Sequence, residues 1–154
     1  MNRLLLTVLA VGALGCAAVA AGTDLDPEAE AIRTTALNYI DGFYTGDAGR
    51  MERAVHPELA KRIVTTDPKT GKSTLGQMSA MTLVQRTRNG IGLKTPVNRR
   101  QEEVTILDRF EDTANVKIVA ADWIDYLQMA KFDGDWKIIN VLWALKPKPA
   151  ESAP

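Results

Sequence analysis

The chain has 154 residues, 45% of them hydrophobic and 25% charged, with 19 basic and 19 acidic side chains, one cysteine and one histidine. That length and composition fit one domain with a real hydrophobic core, and the balanced charge gives no electrostatic footprint for nucleic acid. One histidine and one cysteine exclude an internal disulfide and a histidine-rich or cysteine-based metal site, so neither metal nor cofactor is expected.

Met1-Asn2-Arg3 supplies a positive start, Leu4 to Leu14 an apolar run too short to span a bilayer comfortably, and Ala18-Val19-Ala20 a small-residue cleavage signal. Residues 1–20 therefore read as an export signal, which sends the mature chain to the periplasm or outside the cell with no membrane anchor. A competing reading attaches lipid at Cys16, but the large Leu14 directly before Gly15 fits that pattern less well. Cleavage after Ala20 removes Cys16 and Arg3, leaving 18 basic against 19 acidic residues and a formal charge of −1 with histidine neutral. Residues 21–145 then form the domain. Residues 146–154, with three prolines and small polar side chains, read as a disordered tail.

Asp26 can cap a helix that begins with Pro27, and Ile32, Ala36, Tyr39, Ile40 and Phe43 fall on one apolar face up to a stop at Gly46. Asp47 opens a shorter helix with Met51, Ala54 and Val55 facing inward. His56-Pro57 ends it, and Pro57 can start another turn through Ala60. A short extended piece from Arg62 leads to a turn at Asp67 to Gly71. Ser73 or Thr74 can then cap a third helix containing Leu75, Met78, Met81 and Val84, closed by Asn89-Gly90. The glycine-containing connection from Gly90 to Pro96 lacks the setting and spacing of a phosphate-binding loop. The basic residues Arg86, Arg88, Lys94, Arg99 and Arg100 read as a solvated loop surface, with an anion site as the alternative.

Four strand-like segments follow, Val104 to Leu107, Ala114 to Trp123, Ile124 to Phe132 and Trp136 to Leu145, rich in β-branched and aromatic residues and joined by short links. They read as an antiparallel meander. In the third, Trp123, Asp125, Leu127 and Met129 share one face and Ile124, Tyr126, Gln128, Ala130 and Phe132 the other. In the fourth, alternation sets Trp136, Ile138, Asn140, Leu142 and Ala144 against Lys137, Ile139, Val141, Trp143 and Leu145. Both faces are largely apolar, so helices should cover one and a pocket or a partner subunit the other. Asp133-Gly134 suits a two-residue hairpin with positive φ at both positions. That turn puts Phe132 opposite Asp135, Ala130 opposite Lys137, Gln128 opposite Ile139, and Asp125 near the level of Leu142.

Two segments, ALNYIDGFYTGDAGRMERAVHPEL and the closing Asp125-Tyr126-Leu127 through KFDGDWKIIN, resemble the putative lumazine-binding family, within the larger superfamily of nuclear-transport-factor-2-like (SnoaL-like) domains. The likeness covers almost the whole mature chain. It implies an α+β fold, a cone of three N-terminal helices packed on a strongly curved antiparallel sheet. It also implies a homodimer formed through the sheet and a cavity at the wide end. Neither segment is a catalytic signature, and across the superfamily the same cone serves enzymes and inactive binding modules alike.

Within such a cone, His56 is the side chain that titrates near neutral pH, and Asp125 is a carboxylate set among apolar neighbours. Superfamily enzymes often pair a histidine or tyrosine with an aspartate, which makes His56 and Asp125 the candidate catalytic residues. Tyr39 and Tyr44 can offer hydroxyls to a ligand, and Trp123 and Trp143 flat walls, although core packing explains each as well. Trp136 reads as a structural plug. Asp108, Glu111 and Asp112 form an acidic turn without a supporting ligand set.

Three functions compete. The first is an exported protein that binds a small apolar or aromatic molecule. The second is an acid-base enzyme of isomerase or dehydratase type working through Asp125 or His56. The third is a structural dimeric accessory protein whose sheet face is filled by its partner.

Overall fold

The computed structural model describes residues 26–147, so the expected export signal, Cys16 and most of the expected tail lie outside the described residues. Asp26 caps α1 (Pro27–Thr45) by accepting from the backbone N–H groups of Glu28 and Ala29, and Gly46 ends it in the left-handed region at φ 72°. Asp47 caps the one-sided α2 (Ala48–Ala54), which buries Met51 and Ala54.

From Val55 the chain runs directly into a strand, β1 (Val55–Thr66), where a helical turn through Ala60 was expected. Pro57 disfavours helical backbone at His56 and has no N–H to donate. It falls in the irregular stretch between the Val55–Ile138 pair and the Ala60–Asn140 pair, where no ladder bond is required of it. The turn at Asp67 forms as expected, with the carboxylate accepting from Lys69 N and Thr70 Oγ1. It returns the chain as β2 (Ser73–Ser79), which pairs antiparallel with β1.

The third helix is therefore shorter than expected. α3 (Ala80–Arg88) starts six residues after Thr74 and is capped by Ser79. The Leu75 and Met78 spacing mimicked a helical face, but Leu75 is exposed and Gly76 packs its bare backbone on Ile63. Two strands thus separate the second and third helices, rather than all three helices preceding the sheet. After α3 come two short 3-10 turns, the first of which packs on α1. Gly92 lies so close to it that an added Cβ would sit 1.9 Å from the Phe43 carbonyl oxygen.

The meander follows as β3 (Glu103–Phe110), β4 (Thr113–Val119), β5 (Trp123–Phe132) and β6 (Asp135–Leu145). β4 ends at Val119, before the predicted Trp123, because Ala120 N donates to Trp123 O across a tight turn. The sheet has six strands, in the order β2-β1-β6-β5-β4-β3. β1 runs parallel to β6 and every other pairing is antiparallel, so the sheet is mostly antiparallel as expected, with one parallel pair that the sequence reading did not foresee. The α+β class and the helix-covered sheet stand as expected.

Asp133 (φ 51°) and Gly134 (φ 92°) form the hairpin turn that sets the β5–β6 register. Phe132 opposes Asp135 and Ala130 opposes Lys137, as the turn predicts. An extra residue, Ile139, then bulges out of β6, so Gln128 meets Asn140 and Asp125 meets Trp143. This one-residue shift exchanges the faces of the second half of β6. Trp136 and Ile138 point inward before it, and Val141 and Trp143 after it, so two tryptophans that simple alternation puts on opposite faces share the helix-covered side.

The core between helices and sheet includes Ile32, Ala36, Ile40, Met51, Val116, Ile118, Leu127, Met129, Ile138 and Val141. Near the start of α1, Glu28 accepts from Lys131 Nζ (2.7 Å) and Trp136 Nε1 (2.8 Å), which ties the helix to the hairpin and fits the plug reading of Trp136.

Candidate functional site

Lys61 and Asp125 are the two buried charged side chains among the described residues, and they meet. The parallel β1–β6 register sets Lys61 beside Val141, on the helix-covered face, and Asp125 lies one strand further on, opposite Trp143. Lys61 Nζ donates to Asp125 Oδ1 at 2.5 Å and to the Tyr39 hydroxyl at 2.6 Å. That hydroxyl in turn donates to Asp125 Oδ2 at 3.2 Å, and Trp123 Nε1 donates to the same oxygen at 2.7 Å. The carboxylate therefore accepts from three side chains contributed by α1, β1 and β5. The ammonium also lies 4.9 Å from the centre of the Trp143 ring, within cation–π range.

Tyr39, Lys61 and Trp123 of this network form the floor of a cavity of about 250 Å3, with Asp125 buried behind them. Ile40 and Phe43 of α1, Met78, Leu83 and Trp143 also line it, and the exposed Arg86, Asp122 and Leu145 stand at its mouth. Trp123 is held rigidly: its indole N–H is fixed by Asp125, and Phe43 meets its ring edge to face at 5.6 Å.

Burial shifts the floor groups. It pushes the Tyr39 phenol well above its ordinary value, and the neighbouring Asp125 charge and hydrogen bond add to the rise. It pulls the Lys61 ammonium down, opposed by its attraction to Asp125. Both effects keep phenolate out of the site and make the ammonium depend on its carboxylate.

Four of the six residues singled out from the sequence, Tyr39, Trp123, Asp125 and Trp143, come together here. Tyr44 does not reach the cavity. It is fully buried behind Trp123, where its hydroxyl accepts from Ala121 N at 2.9 Å. His56 is elsewhere. Its ring stacks on Phe132 at 4.4 Å, its Nδ1 accepts from Glu58 N, and Phe132 belongs to the outer face of β5 while Asp125 belongs to the inner face. The expected His56–Asp125 pair is therefore corrected, since the sheet separates the two side chains.

Lys61 was missed because the sequence reading made residues 57–60 a helical turn. The alternation of Leu59, Lys61 and Ile63 is the signal that locates it, a lysine at an apolar strand position. The basic cluster read as one patch is dispersed. Arg99 pairs with Asp122 at 2.7 Å, Arg88 donates to Gln85, Arg100 donates to the Thr95 carbonyl, and Arg86 turns to the cavity mouth.

The family described as Putative lumazine-binding has a model that matches residues 27–144. The chain belongs to the putative lumazine-binding family. Its fold is shared with an NTF2-like protein of unknown function from Methylobacillus flagellatus, 17% identical over 81% of this chain and 97% of the other, at a TM-score of 0.61. A second NTF2-like protein of unknown function, from Shewanella baltica, is 18% identical over 82% of this chain and all of the other, at 0.58. A protein of unknown function with a cystatin-like fold from Nostoc punctiforme is 13% identical over 82% and 96%, at 0.55. No curated protein matches the chain. For this member of the putative lumazine-binding family, the likenesses to solved structures fix the fold.

Proposed function

We propose that the protein is an exported, homodimeric binding protein for a small, flat, largely apolar molecule held in the cone. The observation that carries this reading is the cavity itself, with aromatic and aliphatic walls around a floor of Lys61, Tyr39 and Trp123, each hydrogen-bonded to the Asp125 behind them. The acid-base alternative loses its partner at His56. Its remaining carboxylate, Asp125, already accepts three hydrogen bonds and has no exposed surface, an arrangement suited to positioning rather than proton abstraction.

Support for a dimer through the sheet comes from the outer face, where Tyr126 and Leu142 lie opposite each other and are about half exposed beside Leu107. Sedimentation of the wild type and of Leu142→Asp tests it, with a dimer expected for the first and a monomer for the second.

Calorimetric titration of the mature protein with 2-naphthol tests the binding reading. One site per chain is expected in the wild type, weakened at least about tenfold in Trp143→Ala by loss of an aromatic wall. Equal binding by both proteins would place the ligand outside this cavity, and no binding to either would favour the structural accessory account.

A further inference from the structure

The charges around the cavity do not cancel. At the floor Lys61 is answered by Asp125 at 2.5 Å, and at the rim Asp122 is answered by Arg99 at 2.7 Å. Arg86 also lines the mouth, and it has no hydrogen-bond or ion-pair partner among the described residues. The cavity thus has one surplus positive charge, at its entrance and not at its base. The floor has a different vacancy. An ammonium has three N–H donors, and Lys61 uses two, toward Asp125 and Tyr39. The third has no acceptor among the described residues.

Resting on the binding reading above, we infer that the ligand is a planar aromatic monoanion with a neutral oxygen acceptor at its far end. The ring lies along Trp123 and Trp143, the acceptor meets the free Lys61 N–H, and the anionic group stays at the mouth beside Arg86. The reverse orientation is disfavoured by charge. An anion at the floor would share the buried space with the Asp125 carboxylate, 2.5 Å behind the only cation there, and would leave Arg86 unanswered. A cationic ligand meets Arg86 on entry and finds no unpaired acid inside.

The test is calorimetric titration with 6-hydroxy-2-naphthoate, with its neutral isostere 6-hydroxy-2-naphthamide and with 2-naphthoate, which lacks the distal oxygen. In the wild type the hydroxynaphthoate should bind about tenfold tighter than the amide and several-fold tighter than 2-naphthoate. In Arg86→Gln the ratio of acid to amide should fall to about one, and raising the salt concentration should shrink it in the wild type. Arg86 is exposed on α3, so the variant keeps the fold. Equal affinities for acid and amide, or a preference that survives Arg86→Gln, overturn the inference while 2-naphthol binding keeps the cavity reading intact. Failure of all four naphthalenes to bind overturns both.

Discussion

Replacing Lys61 with methionine removes the one full charge that faces Asp125 inside the protein. At the observed 2.5 Å and an effective dielectric constant of about 20, the pair attracts by roughly 7 kcal/mol, while bringing each ion out of water costs several kcal/mol. The two nearly offset each other, so the pair adds little to net stability although each ion needs the other. Lys61→Met should therefore cost about 3–5 kcal/mol, because it strands a carboxylate with no exposed surface on two neutral donors, Tyr39 and Trp123. Asp125→Asn strands the ammonium and should also cost several kcal/mol. The double variant leaves no buried charge, with the amide oxygen accepting from Trp123 and Tyr39 as Oδ2 does, and should cost clearly less than the two single variants together. Urea unfolding of all four proteins, compared at constant m, yields the cycle, with a coupling of at least about 2 kcal/mol expected. Additivity to within about 0.5 kcal/mol would refute the claim that this ion pair is a closed unit.

His56→Ala should leave 2-naphthol affinity unchanged by calorimetry, because the imidazole packs on Phe132 on the far side of the sheet from the cavity. Tyr39→Phe should be less stable than the wild type below pH 10, with the gap narrowing as the pH rises further. The phenol's ordinary value is 10.0 and burial raises it in the folded chain, so the stability it contributes is complete below that value. Above it, the unfolded wild type releases a proton that the folded one holds, which Tyr39→Phe cannot do; urea melts at several alkaline pH values read the difference. Gly134→Ala should cost only about 1 kcal/mol, since an added Cβ meets open space and the penalty is the positive φ. Gly92→Ala should cost more than about 3 kcal/mol, because its Cβ would drive into the Phe43 carbonyl; thermal melts of the pair separate conformational from steric cost.

Much of the fold was legible because local chemistry and tertiary packing agree where the signals are strong. Asp26-Pro27 and Gly46 bound α1, and Asp133-Gly134 set the hairpin, in both cases through backbone conformations that only a few residue types favour. Reading failed where long-range pairing decided the outcome. The stretch from Val55 to Ser79 contains prolines, glycine and helix-compatible spacings, and it becomes two strands because β6 and its own hairpin supply the partners. The bulge at Ile139 leaves no mark in the residue pattern. It nevertheless puts Trp143 opposite Asp125 and so helps to create the cavity. At the site, Tyr39, Trp123, Asp125 and Trp143 were recognisable as aromatic or buried polar residues on strong elements. Lys61 was hidden by the misread strand. His56 was selected for its residue type and for the histidine–aspartate pairing that the resemblance implies, neither of which says anything about the side of the sheet it occupies.

The central claim is that the cavity above Lys61 and Asp125 holds a small molecule. The most direct measurement is native mass spectrometry of the mature protein and of Trp143→Ala, each produced in the natural host, followed by release and identification of anything retained. The account predicts a defined aromatic anion on the wild type, one per chain, and its loss from the variant. An identical adduct on both proteins, or a wild type that stays empty and also fails to take up 2-naphthol, would contradict it.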